Sequence, residues 1–203
     1  MTDESTVWRS LAALLPPAQA QEVMDCWTIG EQEGALDLVV SGLLARDIPI
    51  SGIVRAQLVV TSEMWGQREA LEERIGRCRS LSDDDSDLRV LVSADAVPLT
   101  GASLSDSPEL ADLLVVPWIV CAPCGQVLGR AHEREPWGDL SFLAAQYVLF
   151  RLFRPRVPAQ TQVFSPAAVR EALTILASSC ATTGTAGSAA EAARKGCADP
   201  RRR

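Results

Sequence analysis

The chain has 203 residues, 47% of them hydrophobic, and a positive mean hydropathy, which is enough apolar material for one large or two small cores and too much for global disorder. Its 26 acidic and 19 basic side chains leave a net charge of −7, which disfavours nonspecific nucleic-acid binding and favours a basic partner. No apolar run reaches the length of a membrane span, and the acidic opening Met1–Thr6 lacks the basic-then-apolar order of a secretory signal, so the expected location is the cytoplasm, away from membranes.

In chain order, Ser5 or Thr6 can cap a first short helix whose Trp8, Leu11 and Leu15 form one stripe, and Pro16-Pro17 ends it. A second helix over Gln19–Ile29 directs Val23, Cys26 and Trp27 to the core and stops at Gly30. A third, Gln32–Arg46, carries Leu36, Val39, Val40, Leu43 and Leu44 on one face. After the break at Pro49, Ser51 stands where an N-cap belongs. Val54, Leu58, Thr61 and Trp65 then recur on one side of a fourth helix that Gly66 can close in a left-handed conformation. A fifth helix, Arg68–Arg79, buries Leu71, Ile75 and Cys78. Residues 1–80 thus predict an all-helical module of four or five short elements with short connections.

The string Gly30-Glu31-Gln32-Glu33-Gly34-Ala35-Leu36-Asp37-Leu38, followed by Ile48-Pro49-Ile50-Ser51 and Glu63-Met64-Trp65-Gly66, resembles MafI-type immunity proteins over residues 23–75. The shared order is a glycine–glutamate helix entry, an aliphatic helix, an extended Pro-Ile-Ser junction and a second helix ending at a glycine. Trp65 before that glycine departs from the pattern, and the chain continues far past it. The resemblance implies a small cytosolic protein that binds and blocks a cognate secreted toxin by stoichiometric blockade, with no catalytic residues. The acidic residues Glu31, Glu33, Asp37 and Asp47 are the candidate face for a basic toxin.

Residues 81–87, built on Asp83-Asp84-Asp85-Ser86-Asp87, form an acidic linker candidate, because like charges and scarce apolar groups disfavour packing there. Beyond it, over residues 88–178, the pattern predicts a small second domain. Leu88–Ser93 and Leu113–Val120 are β-branched runs bounded by turn formers and read as strands, with Gln126–Gly129 as a short third. Pro117 inside the second run predicts an edge or a bulge. Trp137-Gly138-Asp139 offers a turn and N-cap for a helix over Leu140–Phe153, and Ser165-Pro166 opens a last helix through Leu176. Residues 179–203, biased to Ala, Gly, Ser and Thr and ending in three arginines, read as a disordered basic tail. Charge follows this division: −5 over residues 1–80, −8 over 81–150 and +6 over 151–203. The expected fold class is α+β.

Six cysteines are too few for a disulfide scaffold, so in a reducing compartment they are expected as thiols, metal ligands or redox groups. Cys121-Ala122-Pro123-Cys124-Gly125 admits three readings. A zinc knuckle would use Cys121 and Cys124 with His132, the only histidine, and Cys78 or Cys180 arriving from elsewhere to complete a tetrahedral set. A redox pair would need a helix N-terminus to lower a thiol pKa. The third reading is a structural turn with two reduced cysteines. It needs no partner, and it is the expectation carried forward.

The remaining motifs point away from catalysis. His132-Glu133-Arg134-Glu135 has no convergent nucleophile, and Gly30-x3-Gly34 lacks the lysine and hydroxyl residue of a phosphate loop. Trp8, Trp27 and Trp65 fall at core spacing within their helices. Arg151, Arg154 and Arg156 suit a helix C-terminus, with no aromatic platform for nucleic acid. The expectation is therefore a binding protein rather than an enzyme, with a thiol- or metal-dependent module or a general interaction adaptor as the competing classes.

Overall fold

The computed structural model describes residues 4–81, 88–91, 97–104, 107–151 and 161–179. Five helices come first: α1 (Glu4–Ala12), α2 (Pro17–Thr28), α3 (Gln32–Ala45), α4 (Gly52–Met64) and α5 (Arg68–Arg77). Their ends follow local chemistry. Pro17 opens α2 as well as helping to end α1, because a residue without an N–H is tolerated in the first turn. The Ser51 side chain accepts from the Val54 N–H, and Gly66, at φ +66°, closes α4 as expected.

The α4 helix departs from its predicted single stripe. Ala56, Leu58, Val59, Val60, Thr61, Ser62 and Glu63 are all buried, whereas Val54 and Trp65 are only half-buried. A helix covered on every side is a central helix. On one flank Arg55 donates to the carbonyls of Ile75 and Cys78, tying α4 to the C-terminal end of α5. On another flank Ile53, Gln57 and Val60 line an apolar groove with Val7 of α1 and Leu173 further along the chain.

The strands are β1 (Leu88–Val90), β2 (Leu99–Thr100), β3 (Leu114–Cys121), β4 (Gln126–His132), β5 (Gln146–Arg151) and β6 (Gln162–Phe164). They form one antiparallel sheet in the order β1-β3-β4-β5-β6, with β2 also pairing β3. Residues 169–179 are helical and follow a 3-10 turn at Pro166–Ala168; Ser165 precedes it without a side-chain cap. The fold is α+β. The helix expected over Leu140–Phe153 is a correction: Gln146–Arg151 is β5, hydrogen-bonded to β4 along six register pairs. Tyr147 through Phe150 are buried on both faces of the sheet, so the run has neither the alternation of a half-exposed strand nor a polar side.

Partition of the sheet's side chains explains how the halves join. Leu128, Arg130 and His132 alternate with Val127, Gly129 and Ala131 along β4, and Tyr147 and Leu149 with Val148 and Phe150 along β5. The first set faces the helices. The second packs under Leu110 and Leu113 in a separate small cluster. The register shift between Pro117 and Ile119 makes Trp118 an extra residue, so Trp118 and Ile119 both enter the helix-side core; the bulge expected at Pro117 is present. Gly129, opposite Pro117, has no room for a side chain, since a Cβ there would meet Val115 Cγ1 at 2.7 Å and Phe150 Cε1 at 3.0 Å.

Most of the predicted linker, residues 82–87, lies outside the described residues, as does nearly all of the predicted tail, 180–203. On either side of residues 82–87, Trp8, Leu36, Leu43, Leu58 and Ile75 belong to the same buried cluster as Leu88, Trp118, Leu128, Leu149 and Leu176.

Candidate functional site

The four acidic candidates all lie on the surface of the α3 region, but not as one face. Glu31 precedes α3 and Glu33 sits in its first turn; both are exposed, and neither has an ion-pair partner among the described residues. Asp37 accepts from Arg74 at 2.5 Å and from Ser41 at 3.3 Å. Asp47 is paired with Arg79 at 3.0 Å and stands past the far end of α3, a helix of 14 residues and therefore about 21 Å long. Glu31 and Glu33 carry the uncompensated charge.

Cys121 and Cys124 bracket the turn of the β3–β4 hairpin, where the Gly125 N–H donates to the Cys121 carbonyl at 2.9 Å. A hairpin turn offers no helix N-terminus to lower a thiol pKa, which removes the geometry of the redox reading. Cys121 is fully buried and disulfide-bonded, which corrects the expectation of two reduced thiols; Cys124 is free and half-buried. His132 pairs with Leu114 at the opposite end of the same hairpin, seven residues and roughly 23 Å along β3 from Cys121. It cannot share a metal with that turn. Cys78 is buried behind α5, its thiol pushed up mainly by burial. Among the described residues no group of three or more His, Cys, Asp or Glu side chains is placed to hold a metal ion, so the ligand set Cys121, Cys124, His132 and Cys78 is not assembled.

A different cluster is assembled. Glu63, in the last turn of α4 and 5% exposed, receives Arg68 Nε at 3.1 Å, Arg130 Nη1 at 3.6 Å and the Tyr147 hydroxyl at 3.2 Å. Arg130, 2% exposed, lies with its guanidinium 5.2 Å from the Trp118 ring centroid, and Trp118 stacks on Tyr147. Burial first, then the Glu63 charge and hydrogen bond, push the Tyr147 phenol far above its ordinary range, so it remains a donor. One carboxylate is thus ion-paired to α5 and β4 and accepts a hydrogen bond from β5. It ties the helical layer to the sheet.

Two members of the network, Arg68 and Arg130, also line a cleft of about 450 Å³, together with Glu69 on α5, Val116 on β3, His132 on β4, and the loop carrying Glu135, Trp137, Asp139 and Phe142. The loop is firmly built. Arg134 bridges Leu140, the Glu135 N–H donates to the Asp139 carbonyl, and His132 Nδ1–H donates to the Ser141 carbonyl at 2.8 Å. The predicted turn at Trp137–Asp139 is there, but it closes this loop instead of capping a helix. Trp137 is left 73% exposed at its tip.

Burial, then the nearby Arg130 charge, holds the His132 imidazole below its ordinary pKa of 6.5. A folded-state pKa below the unfolded one means that acid favours the unfolded chain as pH falls through 6.5 toward the lowered value. The expected result is that the melting temperature drops between pH 7.5 and pH 5.5 by more in the wild type than in His132→Gln. Equal drops would show that His132 is not the group responsible.

Sequence reasoning missed Glu63, Arg68, Arg130 and Tyr147. Glu63 lies on the side of α4 away from the predicted stripe, and the predicted third strand stopped one residue short of Arg130. The usable signal was Leu128-x-Arg130-x-His132, three like-facing residues in an apolar run, which places two cationic side chains where a strand should bury something. No family model matches the chain, and neither a curated protein nor a solved structure does.

Proposed function

We propose that this chain is an immunity-type protein that binds a cognate toxin in the cytoplasm of the producing cell and blocks it stoichiometrically, without catalysis. The observation that carries this reading is the exposed, uncompensated pair Glu31 and Glu33 at the entry to α3, within the segment that resembles MafI-type immunity proteins, on a chain of net charge −7. Toxins that act on nucleic acid present basic surfaces, and an opposing acidic patch accelerates encounter and rejects like-charged competitors. Asp37 and Asp47, already held by Arg74 and Arg79, contribute less to that field. Apolar contacts around the patch would set the residence time.

The test is co-expression with the toxin encoded by a neighbouring gene, which the wild type is expected to render harmless. Failure to rescue removes the immunity assignment. Glu31→Lys with Glu33→Lys is expected to slow association about tenfold at low ionic strength, with the difference shrinking toward 0.5 M salt as the field is screened. An effect independent of salt would place the contact surface elsewhere.

A further inference from the structure

We propose that the cleft between α5 and the 133–143 loop is a docking pocket for a cationic side chain, an arginine presented by a protein partner. Three observations converge on that occupant. The first is the balance of charge: the two guanidinium groups at the cleft, Arg68 and Arg130, face the carboxylates of Glu63 and Glu72. Glu69, Glu135 and Asp139 remain on the walls as a surplus of negative charge. Carboxylates therefore outnumber guanidinium groups around the cleft, and a concave site with a negative balance draws in a cation.

The second observation is aromatic. Trp137 and Phe142 are 73% and 50% exposed, an unusual placement for large apolar rings on a loop pinned by His132 and Ser141, and tryptophan at a rim is the residue type that most often anchors a partner. The third is that the cleft already seats guanidinium groups on rings. Arg68 lies 5.6 Å from the Phe142 centroid and Arg130 lies 5.2 Å from that of Trp118. Trp137 offers a further ring face with carboxylates close by, the combination that holds an arginine by its planar cation and its N–H fork together. Leu143 and Met64, 62% and 37% exposed, line the neighbouring depression and extend the surface on which the rest of such a partner would lie.

This inference rests on the reading of the chain as a protein-binding module, but its test needs no toxin. The blocked tripeptide acetyl-Gly-Arg-Gly-amide is titrated into the full-length protein while the indole N–H resonance of Trp137, assigned by its loss in Trp137→Ala, is followed. Saturable movement of that resonance is expected. Asp139→Asn and Glu135→Gln should weaken binding, and the double substitution should do so by about tenfold, since it removes charge from the cleft wall without touching the buried network. In Trp137→Ala, binding followed on the peptide's own resonances should weaken to a similar degree, and an unchanged melting temperature would confirm that the fold is intact. The proposal is overturned if no resonance saturates, if the tripeptide binds Trp137→Ala as well as it binds the wild type, or if acetyl-Gly-Glu-Gly-amide binds equally well. That last outcome would mean that the carboxylates at the cleft do not choose the ligand. Failed toxin rescue with intact tripeptide binding would discard the immunity reading and leave the pocket standing.

Discussion

Replacing Glu63 by alanine is expected to destabilise the fold by about 3–5 kcal/mol, the usual consequence of leaving a buried charge without its partner. Arg130 is 2% exposed and would keep its charge, because a guanidinium does not deprotonate at accessible pH. Arg68 would lose its ion pair with Glu63, and the Tyr147 hydroxyl its acceptor, in the same step. Denaturant unfolding at pH 7.5 measures the loss. Tyr147→Phe, which removes one donor and leaves the charges paired, should cost only about 1–2 kcal/mol. The diagnostic variant is the double substitution Glu63→Leu with Arg130→Met. Apolar groups of similar volume can replace a buried ion pair at little net cost, so the double variant should be more stable than Glu63→Ala, and the cycle should show strong coupling. If Glu63→Ala lies within 1 kcal/mol of wild type, the network does not join helix to sheet in the way its geometry indicates.

The helical half was legible because each boundary has a local cause. Pro16-Pro17, Gly30, the Pro49–Ser51 junction and Gly66 punctuate the chain at the places where α1 to α4 stop or start, and each acts through its own backbone restriction or capping group. The sheet was legible only where its strands are β-branched and bounded by turns. In β5, Tyr147 to Phe150 are apolar without alternation because both faces are covered, one by the helices and one by the segment around Leu110 and Leu113. Period alone cannot separate such a strand from a buried helix. What decides is pairing with β4, a nonlocal fact.

The candidate site was hidden for the same reason. Glu63 and Tyr147 are 84 residues apart and meet only because α4 is laid across the sheet, so no spacing in the sequence announces them. The cysteine turn made the opposite error. Cys121 and His132 look close in sequence, yet antiparallel pairing sends them to opposite ends of one hairpin. Short sequence separation is evidence of proximity within a helix or a turn, and of very little across the two arms of a hairpin.

The second large effect concerns the division of the chain at residues 82–87. Expressed separately, residues 1–81 and residues 88–203 are each expected to lack a cooperative unfolding transition, and mixing them should restore one. Trp118, Ile119, Leu128, Tyr147 and Leu149 are at most 4% exposed and belong to the same buried cluster as the helices. Uncovering five such side chains at about 1.5–3 kcal/mol each amounts to roughly 8–15 kcal/mol, which equals the entire stability of an ordinary domain of about 5–15 kcal/mol. The helical fragment loses as much from its side, since α4 is buried all round and would present Glu63 without Arg130 or Tyr147. A protease that cuts the intact chain between residues 82 and 87 should therefore leave a nicked protein whose halves co-elute in size-exclusion chromatography and separate only in denaturant. A residue 1–81 fragment that melts cooperatively near the temperature of the full chain would instead make the helical module an independent domain, with the sheet as an accessory docked on it.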